Sequence, residues 1–209
     1  MYDLANRRLY LCVGVRDDMD DFLPAVIAGG VDVVQLREKE RPDEVRLAAA
    51  RRMVAICRDL GVPFVMNDSP RLALDCGADG VHVGQDDVSV AHCRDLLGEE
   101  AIVGLSTHAR TEFDRALAQD ATYFSAGPIV ATPTKLGRPG TGLDYALECQ
   151  TRSDRPVFVT GGVNALNVGD LVHRGLRHFV VVRALTESSD PGGSARELRG
   201  AINEALETA

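Results

Sequence analysis

The sequence predicts an α/β protein, a single compact (β/α)8 (TIM) barrel over residues 1–209. Three observations carry that prediction. Eight short apolar, β-branched runs recur along the chain, and stretches with helical spacing lie between them. Dividing 209 residues by eight such units leaves about 26 residues each, enough for a strand, a helix and two turns but not for a second domain. A doubly wound sheet of eight strands would satisfy the same alternation. A closed barrel fits the count better and leaves no edge strand to protect.

In chain order the runs are RLYLCVG from Arg8, VDVVQLRE from Val31, PFVMND from Pro63 and GVHVGQ from Gly80, then AIVGLST from Ala101, TYFSAGPI from Thr122, PVFVTGG from Pro156 and HFVVVRA from His178. Several are apolar almost throughout, as strands covered on both faces of a parallel sheet must be. Ala49, Met53, Ile56 and Leu60 step by four, three and four, and Ala195, Leu198, Ile202, Ala205 and Leu206 step similarly near the C-terminus. Such steps lay an apolar stripe along one helix face. Asp17, Ser69 and Asn164 stand where helix N-caps belong, because their short polar side chains accept the unpaired amides of a first turn. The segment ATPTKLGRPGTG, residues 131–142, has three Gly and two Pro and reads as a mobile loop and a candidate lid.

Composition bounds the function. The chain is 45% hydrophobic and 26% charged, an ordinary globular balance. It has 23 basic and 31 acidic residues, a net charge of −8, which argues against tracking a nucleic-acid backbone. The five cysteines are odd in number and widely spaced, with no C-x-x-C pair, so neither a disulfide framework nor a zinc ribbon is expected. No apolar run approaches the ~20 residues of a membrane span, so no membrane partner is expected. The N-terminal MYDLANRR lacks an apolar core, which makes a cytoplasmic location the expectation. A homo-oligomer is left open. The chain contains no G-x-x-x-x-G-K-[ST], H-E-x-x-H, G-x-S-x-G or EF-hand pattern.

In a barrel of this kind, ligands bind at the C-terminal strand ends. Those ends are polar here. The second run finishes in Gln35-Leu36-Arg37-Glu38-Lys39, the third in Asn67-Asp68, the fourth in Gln85-Asp86-Asp87 and the fifth in Ser106-Thr107-His108. The sixth leads to Thr132-Pro133-Thr134-Lys135, the seventh ends in Gly161-Gly162 and the eighth in Arg183. Two carboxylates ending adjacent strands, Asp68 and Asp87, suit Mg²⁺, which takes one or two carboxylates with waters and substrate phosphate oxygens. Arg37, Lys39, Lys135 and Ser106 around them suit a diphosphate. Gly161-Gly162 allows backbone amides to approach a phosphate. Taken singly, each feature has a plainer reading: Asp68 as a helix cap, the glycine pair as a turn, Arg37 and Lys39 as surface charges. His82, inside an apolar run, reads as a hydrogen-bonded core histidine, and His108 reads equally well as a helix-start or a site residue.

Together, VVQLREKE, VMNDSPRLAL, GVHVGQDD, VGLSTH, GPIVATPTK, VTGGVN and VVVRAL resemble the thiamine phosphate synthase family, in order, from about Leu9 to Pro191. The resemblance implies a (β/α)8 barrel that joins a hydroxymethylpyrimidine diphosphate to a thiazole phosphate, with Mg²⁺, releasing diphosphate. It implies that Gln35, Arg37 and Lys39, with Leu36 and Glu38 between them, contact the pyrimidine diphosphate along with Asn67, Ser106 and Lys135. Asp68 and Asp87 would be the metal ligands. Thr132, Pro133 and Thr134, with Gly162, Val182 and Arg183, would form the thiazole phosphate site. Arg37, Lys39, Ser106 and Lys135 would be the catalytic set. Many family members have Ser where this chain has Arg183, which leaves open whether Arg183 meets the phosphate through its side chain or its backbone amide. No role is assigned to His108. Two alternatives share these features in part: a thiazole tautomerase of the same fold, which needs no diphosphate site, and a non-catalytic thiamine phosphate-binding regulator.

Overall fold

The structure is a computed structural model that describes residues 2–131 and 140–209. Eight strands run β1 (Leu9–Val13), β2 (Val33–Leu36), β3 (Phe64–Asn67), β4 (Gly80–Val83), β5 (Ile102–Thr107), β6 (Tyr123–Ala126), β7 (Val157–Val159) and β8 (His178–Val181). Each pairs in parallel with its sequence neighbour, and β8 pairs back onto β1 through Tyr10↔Val180, so the sheet closes in the order β1 to β8. Closure leaves no strand edge, and the expected (β/α)8 barrel is what forms. The helices are α1 (Met19–Ala28), α2 (Asp43–Asp59), α3 (Pro70–Cys76), α4 (Val90–Leu97), α5 (Arg110–Leu117), α6 (Leu143–Arg152), α7 (Val168–His173), α8 (Arg183–Thr186) and α9 (Pro191–Thr208).

The runs look apolar throughout because each strand buries two faces. Side chains alternate across a strand. One parity, including Leu9, Leu11, Val34, Leu36, Phe64, Met66, Phe124 and Phe179, packs beneath the helices in the large core. The other parity fills the barrel with Tyr10, Val33, Val65, Ile102, Tyr123 and Phe158, joined by Leu4 from the segment ahead of β1. Further along the strands that second parity turns polar while remaining buried: Gln35, Asn67, His82, Ser106 and Ser125. The barrel floor is therefore apolar and its C-terminal end polar.

At the opposite end, Asp32 ties the barrel to the last helix. Its carboxylate accepts the backbone amides of Arg8 at 2.8 Å and Leu9 at 2.9 Å and pairs with Arg199 of α9. α9 buries Ala195, Leu198, Ile202 and Ala205, as its spacing predicted.

Several local expectations shift. Ser69 caps α3 by accepting the Leu72 amide at 3.2 Å. α1, however, starts after Asp18 rather than Asp17, and α7 starts after Asn167 rather than Asn164. Asn164 instead holds the preceding turn, its side-chain oxygen accepting the Leu166 amide at 2.9 Å. Ser89 and Asp190 are further side-chain caps, of α4 and α9. In α2 the buried face is Ala50, Met53, Val54 and Cys57, and Leu60 lies at the helix end, 45% exposed, because the chain must turn there toward β3. Eight helical segments become nine among the described residues, since α8 stands between β8 and α9. All five cysteines are buried and none is in a disulfide. Burial pushes the Cys57 thiol up to about 12, which keeps it protonated and unreactive. Of the loop read at 131–142, residues 132–139 lie outside the described residues.

Candidate active site

The C-terminal strand ends enclose a cavity of about 360 Å³. Seven of the residues singled out in the sequence line it: Gln35, Arg37, Asn67, Ser106, Gly162, Val182 and Arg183. They come from β2, β3 and β5, from the β7 loop and from the start of α8. Three others, Lys39, Asp68 and Asp87, are not in its wall but lie one step beyond the strand ends, as a group of their own. Leu36 has the outward parity and is buried in the apolar core, so only its backbone faces the substrate end. Glu38 is turned to structural use, accepting the amides of Val15 at 3.4 Å and Glu40 at 3.2 Å. Thr132, Pro133, Thr134 and Lys135 lie outside the described residues.

The floor of the cavity is a chain of buried polar groups. The hydroxyls of Tyr10 and Tyr123 are 2.8 Å apart, and Tyr123 Oη is 2.8 Å from His82 Nδ1. His82 Nε2 is 2.8 Å from Ser106 Oγ, which is 3.2 Å from Ser125 Oγ. His82 is thus hydrogen-bonded and buried as expected, yet it also forms cavity wall. Strand parity was the available sign: His82 pairs in register with Asn67, so both point inward. The same alternation would have found Tyr10, Tyr123 and Ser125, which line the cavity too. Burial raises the phenols of Tyr10 and Tyr123 well above their ordinary range, so both remain neutral donors.

Gln35 Nε2 donates to Asn67 Oδ1 at 2.9 Å, which fixes the Asn67 amide. Its Nδ2 is buried without a partner among the described residues. An unmade buried donor costs about 1–3 kcal/mol, which a ligand acceptor in the cavity would restore. At the other side, Gly161 and Gly162 are both in the left-handed region, at φ 101° and 76°. A Cβ on Gly161 would stand 2.6 Å from Pro128 Cβ, so glycine is what lets the β7 loop close against the β6 loop. Among the described residues, no carboxylate is ion-paired with Arg37 or Arg183. Glu187 is the one carboxylate in the wall among the described residues. The cavity therefore offers two unneutralised guanidinium groups, polar donors and a glycine-lined loop, chemistry that suits a polar ligand carrying phosphate.

Asp68 is held in a strained backbone. Its φ is +62°, the one positive value outside glycine among the described residues. The amide of Asp68 donates to the His82 carbonyl at 2.8 Å, and the next residue, Ser69, caps α3. Lys39 Nζ lies 2.9 Å from Asp68 Oδ2. Asp87 stands near enough for its charge to act on Asp68, and it accepts the Gly84 amide at 2.7 Å. Burial raises the Asp68 carboxyl above its usual range, the bond from Lys39 opposes that, and the charge of Asp87 adds to it. No cluster of three or more His, Cys, Asp or Glu exists among the described residues. Two carboxylates without a third protein ligand fit Mg²⁺ completed by water and phosphate oxygens, and fit poorly the closed protein cages of zinc.

Fold and site together define a (β/α)8-barrel protein with a polar ligand site at the C-terminal strand ends. The family model described as thiamine monophosphate synthase matches residues 9–185, and the chain belongs to that family. It is 41% identical over 189 residues to a thiamine-phosphate synthase of Gloeobacter violaceus, covering 90% of this chain and 55% of that protein. The chain thus spans about half the length of that relative. It is 42% identical to the thiamine-phosphate synthase of Acidothermus cellulolyticus, covering 93% of this chain and 94% of that protein. Among solved structures, a thiamine phosphate pyrophosphorylase from Pyrococcus furiosus shares the fold, with a TM-score of 0.88, 24% identity, and 98% and 100% of the two chains covered.

Proposed function

We propose that the chain is a thiamine phosphate synthase acting in thiamine biosynthesis in the cytoplasm. It condenses 4-amino-5-hydroxymethyl-2-methylpyrimidine diphosphate with 4-methyl-5-(2-phosphoethyl)thiazole and releases diphosphate. The observation that carries this reading is the gathering of Gln35, Arg37, Asn67, Ser106, Gly162, Val182 and Arg183 around one cavity. Family membership supports it independently.

The proposed chemistry breaks the bond between the pyrimidine methylene carbon and the diphosphate oxygen, and the electron pair leaves with diphosphate. The thiazole nitrogen then donates its lone pair to that carbon, forming the new C–N bond. Ser106 Oγ lies 2.8 Å from His82 Nε2, as a hydroxyl nucleophile lies from its base, but direct attack by the thiazole nitrogen needs no protein nucleophile, so the protein's part is positioning and charge stabilisation. Mg²⁺, when held by Asp68 and Asp87, supplies further positive charge at the departing diphosphate. Arg37, Lys39, Ser106 and Lys135 contact the diphosphate, with Leu36 and Glu38 contributing backbone. Gln35 and Asn67 orient the pyrimidine, the unpaired Asn67 Nδ2 donating to one of its acceptors. Thr132, Pro133, Thr134, Gly162, Val182 and Arg183 hold the thiazole phosphate.

An assay of thiamine phosphate and diphosphate release from the two substrates, with and without Mg²⁺, tests the proposal. Metal-dependent release of both products is expected. Isomerisation of the thiazole phosphate without coupling would assign the chain a tautomerase activity instead. Tight thiamine phosphate binding without turnover would make it a regulator.

A further inference from the structure

The ion pair between Lys39 and Asp68 is one that coupling does not require. In the proposed reaction Lys39 belongs on the diphosphate and Asp68 on the metal, yet the two side chains are 2.9 Å apart. Their freedom is unequal. The Asp68 backbone is clamped by its bond to the His82 carbonyl, by the cap on α3 that follows and by its own left-handed conformation. Lys39 is 52% exposed, beyond the end of β2, on a flexible four-carbon stem. If one partner moves, it is Lys39. An ammonium 2.9 Å from Asp68 Oδ2 also repels any dication brought to that carboxylate.

We propose that Lys39 is a displaceable counter-ion: it neutralises Asp68 while the site is empty and transfers to a diphosphate oxygen when that group arrives, so that Asp68 and Asp87 bind a divalent cation only together with diphosphate. This rests on the synthase reading above. Three charges then rearrange in one step. The diphosphate draws Lys39 away, Asp68 is uncovered beside Asp87, and the phosphate oxygens complete the cation's coordination. An empty protein would not collect a cation that the diphosphate could not reach. The cation and the leaving group would enter as one unit.

The test is Mn²⁺ binding to the whole protein without diphosphate, followed by the electron paramagnetic resonance signal of free Mn²⁺. Wild type, Lys39→Arg, Lys39→Gln, Asp68→Asn and the Lys39→Gln/Asp68→Asn double variant are compared, each checked for fold by circular dichroism. Lys39→Gln is expected to bind Mn²⁺ at least about tenfold more tightly than wild type, because one opposing charge at contact distance is removed. Mg²⁺ displaces the Mn²⁺, Lys39→Arg behaves as wild type, and the double variant loses the gain. Equal affinity in wild type and Lys39→Gln overturns the proposal, and so does a gain that survives Asp68→Asn. The two readings fail separately: no diphosphate release from the substrates overturns the synthase, and unchanged Mn²⁺ affinity in Lys39→Gln overturns the counter-ion.

Discussion

At the scale of single residues, Asp68 carries the sharpest consequence. A non-glycine residue in the left-handed region costs about 1–2 kcal/mol, but Asp and Asn tolerate it better than alanine does. Asp68→Asn is therefore the clean variant, since it removes the charge and keeps the backbone preference. It is expected to lower the coupling rate by about 10²–10³ or more with little change in thermal stability. Asp68→Ala should lose activity similarly and also melt lower, by about 1 kcal/mol of stability. Near wild-type turnover in a folded Asp68→Asn protein would remove Asp68 from the mechanism. Lys135→Ala is expected to fall by a similar factor in steady-state assays; its assignment comes from the sequence and the family resemblance, because Lys135 lies outside the described residues.

His178 is another residue-scale case with a readable sign. It is buried at the start of β8, and Nδ1 lies 2.6 Å from the Arg7 carbonyl. Burial, with Arg8 and Arg177 nearby, lowers its pKa to about 4 from 6.5. Above pH 6.5 the ring is neutral folded or unfolded, and it contributes no pH dependence. As pH falls from 6.5 toward 4 the unfolded chain takes up a proton that the folded chain refuses, so stability declines. A gap of that size corresponds to up to about 3 kcal/mol. Denaturant melts between pH 7 and pH 4 should show the decline, and His178→Gln should flatten that part of it. An unchanged slope in the variant would assign the decline to other groups.

At the scale of elements, β5 shows how a strand makes room for a site. A Cβ on Gly104 would stand 2.2 Å from Tyr123 Cζ and 2.4 Å from His82 Nδ1. The Tyr123–His82–Ser106 chain exists because β5 has no side chain at that inward position. Gly104→Ala is expected to destabilise the protein by about 1–3 kcal/mol through overpacking. It should also impair substrate binding, since His82 and Ser106 would shift together. A substitution that left both melting and KM unchanged would show that the floor is not held as tightly as its distances imply. Helix boundaries were the least legible elements. Asp17 and Asn164 have cap chemistry, but tertiary packing set the starts of α1 and α7 one and three residues later. The ridge of α2 was displaced in the same way, leaving Leu60 at the turn into β3.

At the scale of the whole molecule, the two ends of the barrel divide the work. The polar C-terminal end carries the cavity, while the opposite end carries the tie from Asp32 to β1 and Arg199. Asp32→Ala would strand two backbone amides and leave Arg199 without its carboxylate partner, holding only the Gly30 carbonyl. A loss of at least about 2 kcal/mol is expected, read by thermal or urea unfolding, with KM near wild type for the folded fraction. A changed KM with unchanged stability would contradict that division. The net charge of −8 gave no hint of the cavity's own character, where Arg37 and Arg183 stand unpaired by carboxylates among the described residues. Among the described residues, no helix is long and apolar enough to cross a membrane.

What the amino-acid order determined by itself was local and periodic. Eight apolar runs alternating with helical stretches specified the barrel, and polar residues at the run ends marked Gln35, Arg37, Asn67, Ser106, Gly162 and Arg183 before any were seen to meet. Those features depend on strand period, helix period and position at a strand end, all written within a few residues. What the tertiary structure alone decided was non-local. It placed Lys39 on Asp68, put Asp68 in a left-handed conformation and tied Asp32 to Arg199 across 167 residues of chain. The physical reason is closure. Once β8 pairs with β1, the parity and stagger of every strand are set relative to all the others, and only then do distances between side chains on different strands acquire values.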